Sequence, residues 1–215
     1  SLSGASDYKV FMIDTEGGGG PVALSDNEYC CAIRPKVWKD RIVWYQYPDG
    51  RGRIFMHDLA TGETGPVFES GADQWGVALW ESRIAYFDSR SGGSMFDPMN
   101  SDVFVRDLGT MEETVVCDEP SIQCDQVDLF GDVVVWNDQR NDPRPNDPDD
   151  VNVDVYARNL LSGEERNLMP LAGPVNDLLP VPRVWGHRVF FFMMSAGQLE
   201  PHDDRPQGRR VRRLA

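Results

Sequence analysis

Short apolar runs alternate with turn-forming clusters along this chain, and one arrangement recurs. Its clearest copy is Gly131-Asp132-Val133-Val134-Val135-Trp136-Asn137-Asp138-Gln139-Arg140: a tight turn, a continuous apolar run ending in an aromatic, then Asp-x-Arg. Such a pattern predicts a strand buried on both faces and then released to solvent. It returns at Asp40-Arg41-Ile42-Val43-Trp44, at Ser82-Arg83-Ile84-Ala85-Tyr86 with Asp88 and Arg90, and at His187-Arg188-Val189-Phe190-Phe191. The equivalent aromatics Trp44, Tyr86, Trp136 and Phe191 are 42, 50 and 55 residues apart, the length of one four-stranded antiparallel unit.

The first three repeats each predict four strands, A to D; in the fourth, strand D is absent. In the first, Val37-Trp38 form strand A and residues 42–44 form B. Residues 53–59 form C, the turn Ala60-Thr61-Gly62-Glu63 follows, and Pro66-Val67-Phe68 form D. The units span about residues 34–69, 75–117, 125–169 and 181–214. Helix signals are nearly absent. The predicted class is all-β, a single β-propeller domain over 1–215 with about four four-stranded blades. The last unit has its inner pair but a poor outer half, since the arginine-rich tail lacks apolar alternation. The hairpin predicted over residues 8–25 aligns with strands C and D, Phe11-Met12-Ile13-Asp14 matching Phe55-Met56-His57-Asp58. It is therefore expected to close the last blade and hide its exposed edge. The column Trp38, Trp80, Phe130, Trp185 is expected to pack between neighbouring blades.

Composition then narrows the function. A net charge of −14 argues against nucleic acid and anionic membranes as partners, because phosphate tracking needs clustered cations. The last seven residues, with arginine at 209, 210, 212 and 213, are better read as pairing with the acidic body or with solvent. No apolar run reaches the length of a membrane span, and residues 1–6 have neither the basic nor the apolar part of a signal peptide; a leader, if there was one, is expected to have been removed. The run Gly17 to Gly20 lacks the Lys-Ser/Thr and helix start of a phosphate loop and reads as a turn. Of the four cysteines, Cys117 and Cys124 flank a loop that a disulfide could close, which points to an oxidising compartment.

Candidate chemistry is concentrated in the loops between strands B and C. Equivalent loops of a propeller emerge on one face and can build a composite surface. The candidate binding residues there are Asp88, Arg90, Asp97, Asn100, Asp102, Asp138 and Arg140. Asp147, Asp149, Asp150 and Asp154 form an acidic set suited to Ca2+, which takes six to eight oxygen ligands. The Asp88/Arg90 and Asp138/Arg140 pairs are expected to lock the loop bases by salt bridges. His57, His187 and His202 stand at non-equivalent positions, and neither Gly-x-Ser-x-Gly nor His-Glu-x-x-His occurs, so no nucleophilic site or zincin site is predicted.

The motif carried by Gly131-Asp132, Val134-Val135-Trp136, Asp138 and Arg140, with Asp58-Leu59-Ala60-Thr61-Gly62-Glu63 and its echoes at Asp107-Leu108-Gly109-Thr110 and Asn159-Leu160-Leu161-Ser162-Gly163-Glu164, resembles the propeller repeats of TolB-like and cell-surface proteins. The resemblance covers about residues 8–195. It implies a periplasmic, cell-surface or secreted platform for protein or glycan contacts, not a catalyst. The departures are the low blade number, the acidic insertions and the arginine tail. The expectation is a non-enzymatic scaffold, with Ca2+ ordering its loops as a candidate. The alternatives are a hydrolase or lyase using the loop carboxylates, and a structural piece of a larger propeller or assembly with other chains.

Overall fold

A computed structural model describes residues 8–25, 30–93, 100–142, 152–169, 180–191 and 212–213. Three four-stranded antiparallel sheets follow one another in chain order. The first holds β3 (Cys30–Trp38), β4 (Arg41–Tyr47), β5 (Arg53–Asp58) and β6 (Thr64–Pro66). The second holds β7 (Gln74–Trp80), β8 (Arg83–Asp88), β9 (Asp102–Asp107) and β10 (Glu113–Cys117). The third holds β11 (Gln123–Phe130), β12 (Val133–Asp138), β13 (Asp154–Asn159) and β14 (Glu165–Asn167). A partial fourth blade pairs β15 (Arg183–Trp185) with β16 (Arg188–Phe190) and β17 (Arg212–Arg213). One short 3-10 turn, Pro48–Gly50, is the sole helical element among the described residues.

The turns show why the repeat folds alike each time. All four A-to-B hairpins have two-residue turns whose first residue adopts positive φ: Lys39 (50°), Glu81 (53°), Gly131 (57°) and Gly186 (59°). This backbone hand matches the twist of the flanking strands. The C-to-D turns repeat as well. Asp58 accepts the N–H groups of Ala60 and Thr61, Asp107 those of Gly109 and Thr110, and Asn159 those of Leu161 and Ser162. Each is tied to its blade's first turn by one backbone bond, from Leu59 to Asp40, Leu108 to Ser82 and Leu160 to Asp132, at 2.6–2.7 Å.

The B strands are the buried ones. Val43, Trp44, Ile84 to Phe87 and Val134 to Asp138 are almost wholly inaccessible. Each B-strand aromatic stacks on its partner in strand C: Trp44 on Phe55, Tyr86 on Phe104 and Trp136 on Tyr156, with centroids 5.9–6.1 Å apart. Trp38, Trp80, Phe130 and Trp185 do more than fill the seams. Successive rings lie 4.0, 3.9 and 4.6 Å apart, and Trp80 also meets Trp185 edge-on at 6.2 Å, so the four converge in one plug. Stacked and tilted aromatic contacts of this kind add to simple burial.

Two expectations are corrected. The strand beside β16 is β17, Arg212 facing Val189 and Arg213 facing Arg188, and not the N-terminal hairpin. Backbone pairing does not require apolar alternation, so the arginine tail can serve. The hairpin, β1 (Phe11–Met12) with β2 (Val22–Ala23), is a separate two-stranded sheet. It lies against the first blade, where Val10 and Leu24 pack with Ala32, Ile42 and Trp44. Nor do Cys117 and Cys124 form a disulfide: Cys117 is a free, buried thiol whose sulfur lies against Asp138 and Arg140, while Cys31 is disulfide-bonded.

Candidate axial binding site

Strand register places equivalent residues at equal depth in the four blades. The plug aromatics end strand A, and the residues two positions earlier share their face of the strand. These are Lys36, Ala78, Asp128 and Arg183. Register agrees in the first three blades, with Lys36 opposite Val43, Ala78 opposite Ala85 and Asp128 opposite Val135. This tier therefore faces the axis one step from the plug.

A cavity of about 340 Å³ opens there, lined by Arg34 and Lys36 of β3, Gly76 and Val77 of β7, Gln126 and Val127 of β11, and Arg183 beside Val181. All four inner strands contribute. Strands β3, β7 and β11 are each bulged at this height, where the register shifts between Ile33 and Lys36, Trp75 and Ala78, and Cys124 and Val127. Bulges turn strands and re-aim side chains. At the first bulge Arg34 holds φ of 54°, unusual for a residue with a side chain. At the second stands Gly76 (φ 63°), where a Cβ would lie 2.4 Å from the Phe87 ring.

The charge of this cavity opposes that of the molecule. Three cationic side chains line it on a chain of net charge −14. Burial, with Arg183 and Arg34 nearby, lowers the Lys36 ammonium pKa against a smaller opposing effect of Asp128. Asp128 is raised by burial, only partly offset by the Val184 N–H that it accepts at 2.9 Å and by Arg183 and Lys36. Lys36 and Arg183 make no salt bridge among the described residues; the Arg183 guanidinium donates to the Pro182 carbonyl at 2.7 Å.

The predicted loop residues are placed differently. Asp88 and Asp138 are fully buried and Asp102 and Asp154 nearly so, so none of the four offers itself to a partner directly. Arg90 bonds Asp88 (Nη2 to Oδ2, 3.0 Å) and Glu113, and lies 4.0 Å over the Phe104 ring. Arg140 repeats this with Asp138 (2.6 Å), Glu165 (2.7 Å) and the Tyr156 ring (4.0 Å). These are internal clamps at the loop bases. Burial would raise the Glu113 pKa, but hydrogen bonds from Arg90, Tyr86 and Arg106 outweigh it and hold the carboxyl at about 2. Asp102 accepts from Ser91, and Asp154 from Asn141 and Asn167, yet each keeps one oxygen without a partner, as does the side-chain oxygen of Asn152. Asn100 donates to the Ser91 carbonyl. Asp97, Asp147, Asp149 and Asp150 lie outside the described residues. Among the described residues no group of three or more His, Cys, Asp or Glu side chains is set to hold a metal. His57 bonds Thr64 on an outer strand, His187 sits in an exposed turn, and His202 lies outside the described residues.

The axial tier escaped the sequence reading. Lys36, Ala78, Asp128 and Arg183 share no residue type, only a position two before each plug aromatic. That spacing was the available signal.

Sheets stacked in chain order around a shared axis define a β-propeller. The solved structures that the chain resembles include TolB from Acinetobacter baumannii (TM-score 0.63, 15% identity, 89% of this chain and 44% of that one) and a putative TolB from Agrobacterium tumefaciens (0.56, 16%, 78% and 58%). An oligogalacturonate lyase in complex with manganese is also similar (0.50, 18%, 81% and 49%). At these identities the likeness is one of fold, and the chain spans about half the length of these structures. No family model and no curated protein matches the sequence.

Proposed function

We propose that this protein is a non-enzymatic β-propeller scaffold that works outside the cytoplasm and binds a protein partner at its axial mouth. The observation that carries this reading is the axial cavity, to which every blade contributes an inner strand. Its volume is in the range of ligand sites. Two facts support the absence of catalysis. Asp88 and Asp138, the loop carboxylates best placed for acid–base work, are buried under arginines that take up their oxygens in salt bridges. The cavity lining includes no Ser, Cys or His. The disulfide at Cys31 supports an oxidising compartment. No described helix is long and apolar enough to cross a membrane.

Parallel peptide and glycan arrays test the proposal. Peptide binding that is lost in Val181→Trp, which fills the mouth, is the expected result. Glycan hits alone would move the reading to carbohydrate partners, and turnover of any peptide or polysaccharide would contradict the scaffold role. Calcium belongs to the same proposal. The unpartnered, buried oxygens of Asp154 and Asn152 beside the acidic insertion of the third blade are the candidate ligands there, with Asp102 a separate one on the second blade. A rise in melting temperature on adding Ca2+, reversed by chelator, is expected, and an unchanged melt removes calcium from the account.

A second reading, membership of a larger propeller or assembly, is favoured by the hairpin, which pairs with no blade strand and whose Phe11, Ile13 and Val22 are more than half exposed. Native mass spectrometry separates the two: the scaffold reading expects a single chain, the other a complex.

A further inference from the structure

We propose that the axial cavity is a carboxylate-binding site: the ligand it takes is an anionic group held between Lys36 and Arg183, with Arg34 at the rim. This rests on the axial mouth being the binding site, and adds the chemistry that it selects.

In four equivalent slots the chain places two cations, one carboxylate and one alanine. Were the slots only structural, opposite charges would pair. They do not: no contact within 4.0 Å joins Lys36 or Arg183 to Asp128, whose Oδ2 is instead taken by the Val184 N–H. Asp128 thus contributes a balancing charge without occupying the cations' hydrogen-bonding directions. The Lys36 ammonium is partly desolvated and, like the exposed Arg183 guanidinium, has no ionic partner among the described residues, so an anion that bridges the two gains charge-assisted hydrogen bonds from both. The low-dielectric walls given by Val77, Val127 and Val181 strengthen that attraction.

Shape agrees with charge. On the second blade Gly76 lines the cavity without a side chain, because a Cβ there would strike the Phe87 ring, so only backbone faces the cations on that side. A planar carboxylate suits Arg183, whose forked donors match two oxygens; a point-charge Lys36 completes the pair. The acidic exterior sharpens the selection, because cationic ligands are drawn to the surface and not to the axis.

A carboxylate can come from an acidic peptide or from a uronic acid sugar, and the test separates them. N-acetylated hexaglutamate, digalacturonate and a neutral Gly-Ser hexapeptide are titrated into the full chain by calorimetry. The expected result is saturable binding of hexaglutamate, weaker at high salt, and none of the neutral peptide. Lys36→Gln and Arg183→Gln should each weaken it about tenfold. Asp128→Asn, which keeps an acceptor for Val184 and removes the internal negative charge, should tighten it several-fold, an outcome that misfolding cannot imitate. Binding of digalacturonate alone upholds the carboxylate site and overturns the protein-partner reading. Equal binding of the neutral peptide overturns the carboxylate inference and leaves the axial scaffold standing. Binding of neither acid, or binding indifferent to all three substitutions, overturns the inference outright.

Discussion

Arg140 shows how one side chain can hold a loop base. It satisfies the fully buried Asp138, reaches Glu165 across the blade and covers the Tyr156 ring. Arg140→Met keeps the bulk but removes the guanidinium from the buried Asp138, leaving it the Trp136, Ser121 and backbone donors, so urea melts should show a loss of about 3 kcal/mol. Glu113 is the matching anion in the second blade. Its folded pKa of about 2 lies below its ordinary value, so its contribution is complete above about pH 4.5 and is lost as pH falls towards 2. Because the site is partly open to solvent, that contribution is about 1–2 kcal/mol. The stability gap between wild type and Glu113→Gln should close over this acid window and stay constant from pH 6 to 8. Cys117 makes a third case. Burial pushes its thiol up to about 12, against the lowering effect of Arg140, so it stays protonated. Iodoacetamide at pH 8 should leave it unlabelled in the native protein and label it in urea. The Asp-x-Arg spacing made the Asp88/Arg90 and Asp138/Arg140 salt bridges legible in the sequence; the full burial of the two aspartates was not, because loop carboxylates otherwise read as surface.

Elements were the most legible scale. A B strand such as residues 133–136 can be read directly, since four apolar residues in a row after a turn have few other uses. The A-to-B turns were legible as well, and the structure adds the backbone demand behind them. Lys39 and Glu81 hold the positive φ that Gly131 and Gly186 hold elsewhere. Lys39→Gly should therefore be neutral or slightly stabilising in thermal melts, whereas Gly131→Lys should cost about 1 kcal/mol. Equal losses for both would show that the turns are not equivalent. The fourth blade was not legible. Two arginines carry no strand signal, yet backbone pairing with Arg188 and Val189 needs none. The hairpin matched strands C and D in side chains, but its core residues are those that meet the first blade.

At the scale of the whole molecule, successive propeller blades differ most where their inner strands line the cavity. The residues that make the blades alike, the B strands and turn glycines, report fold and say little of function. Those that differ, Lys36, Ala78, Asp128 and Arg183, give the axial site its charge. Such a site cannot be found by looking for a repeated residue; it appears only once register shows which positions are equivalent. Titration of hexaglutamate followed by amide NMR tests this most directly. The backbone signals of Lys36, Val77, Val127 and Arg183, one from each blade, should shift together and saturate at a single dissociation constant. Shifts confined to one blade, or to loop residues such as Asn100 and Arg140 while these four stay still, would contradict it.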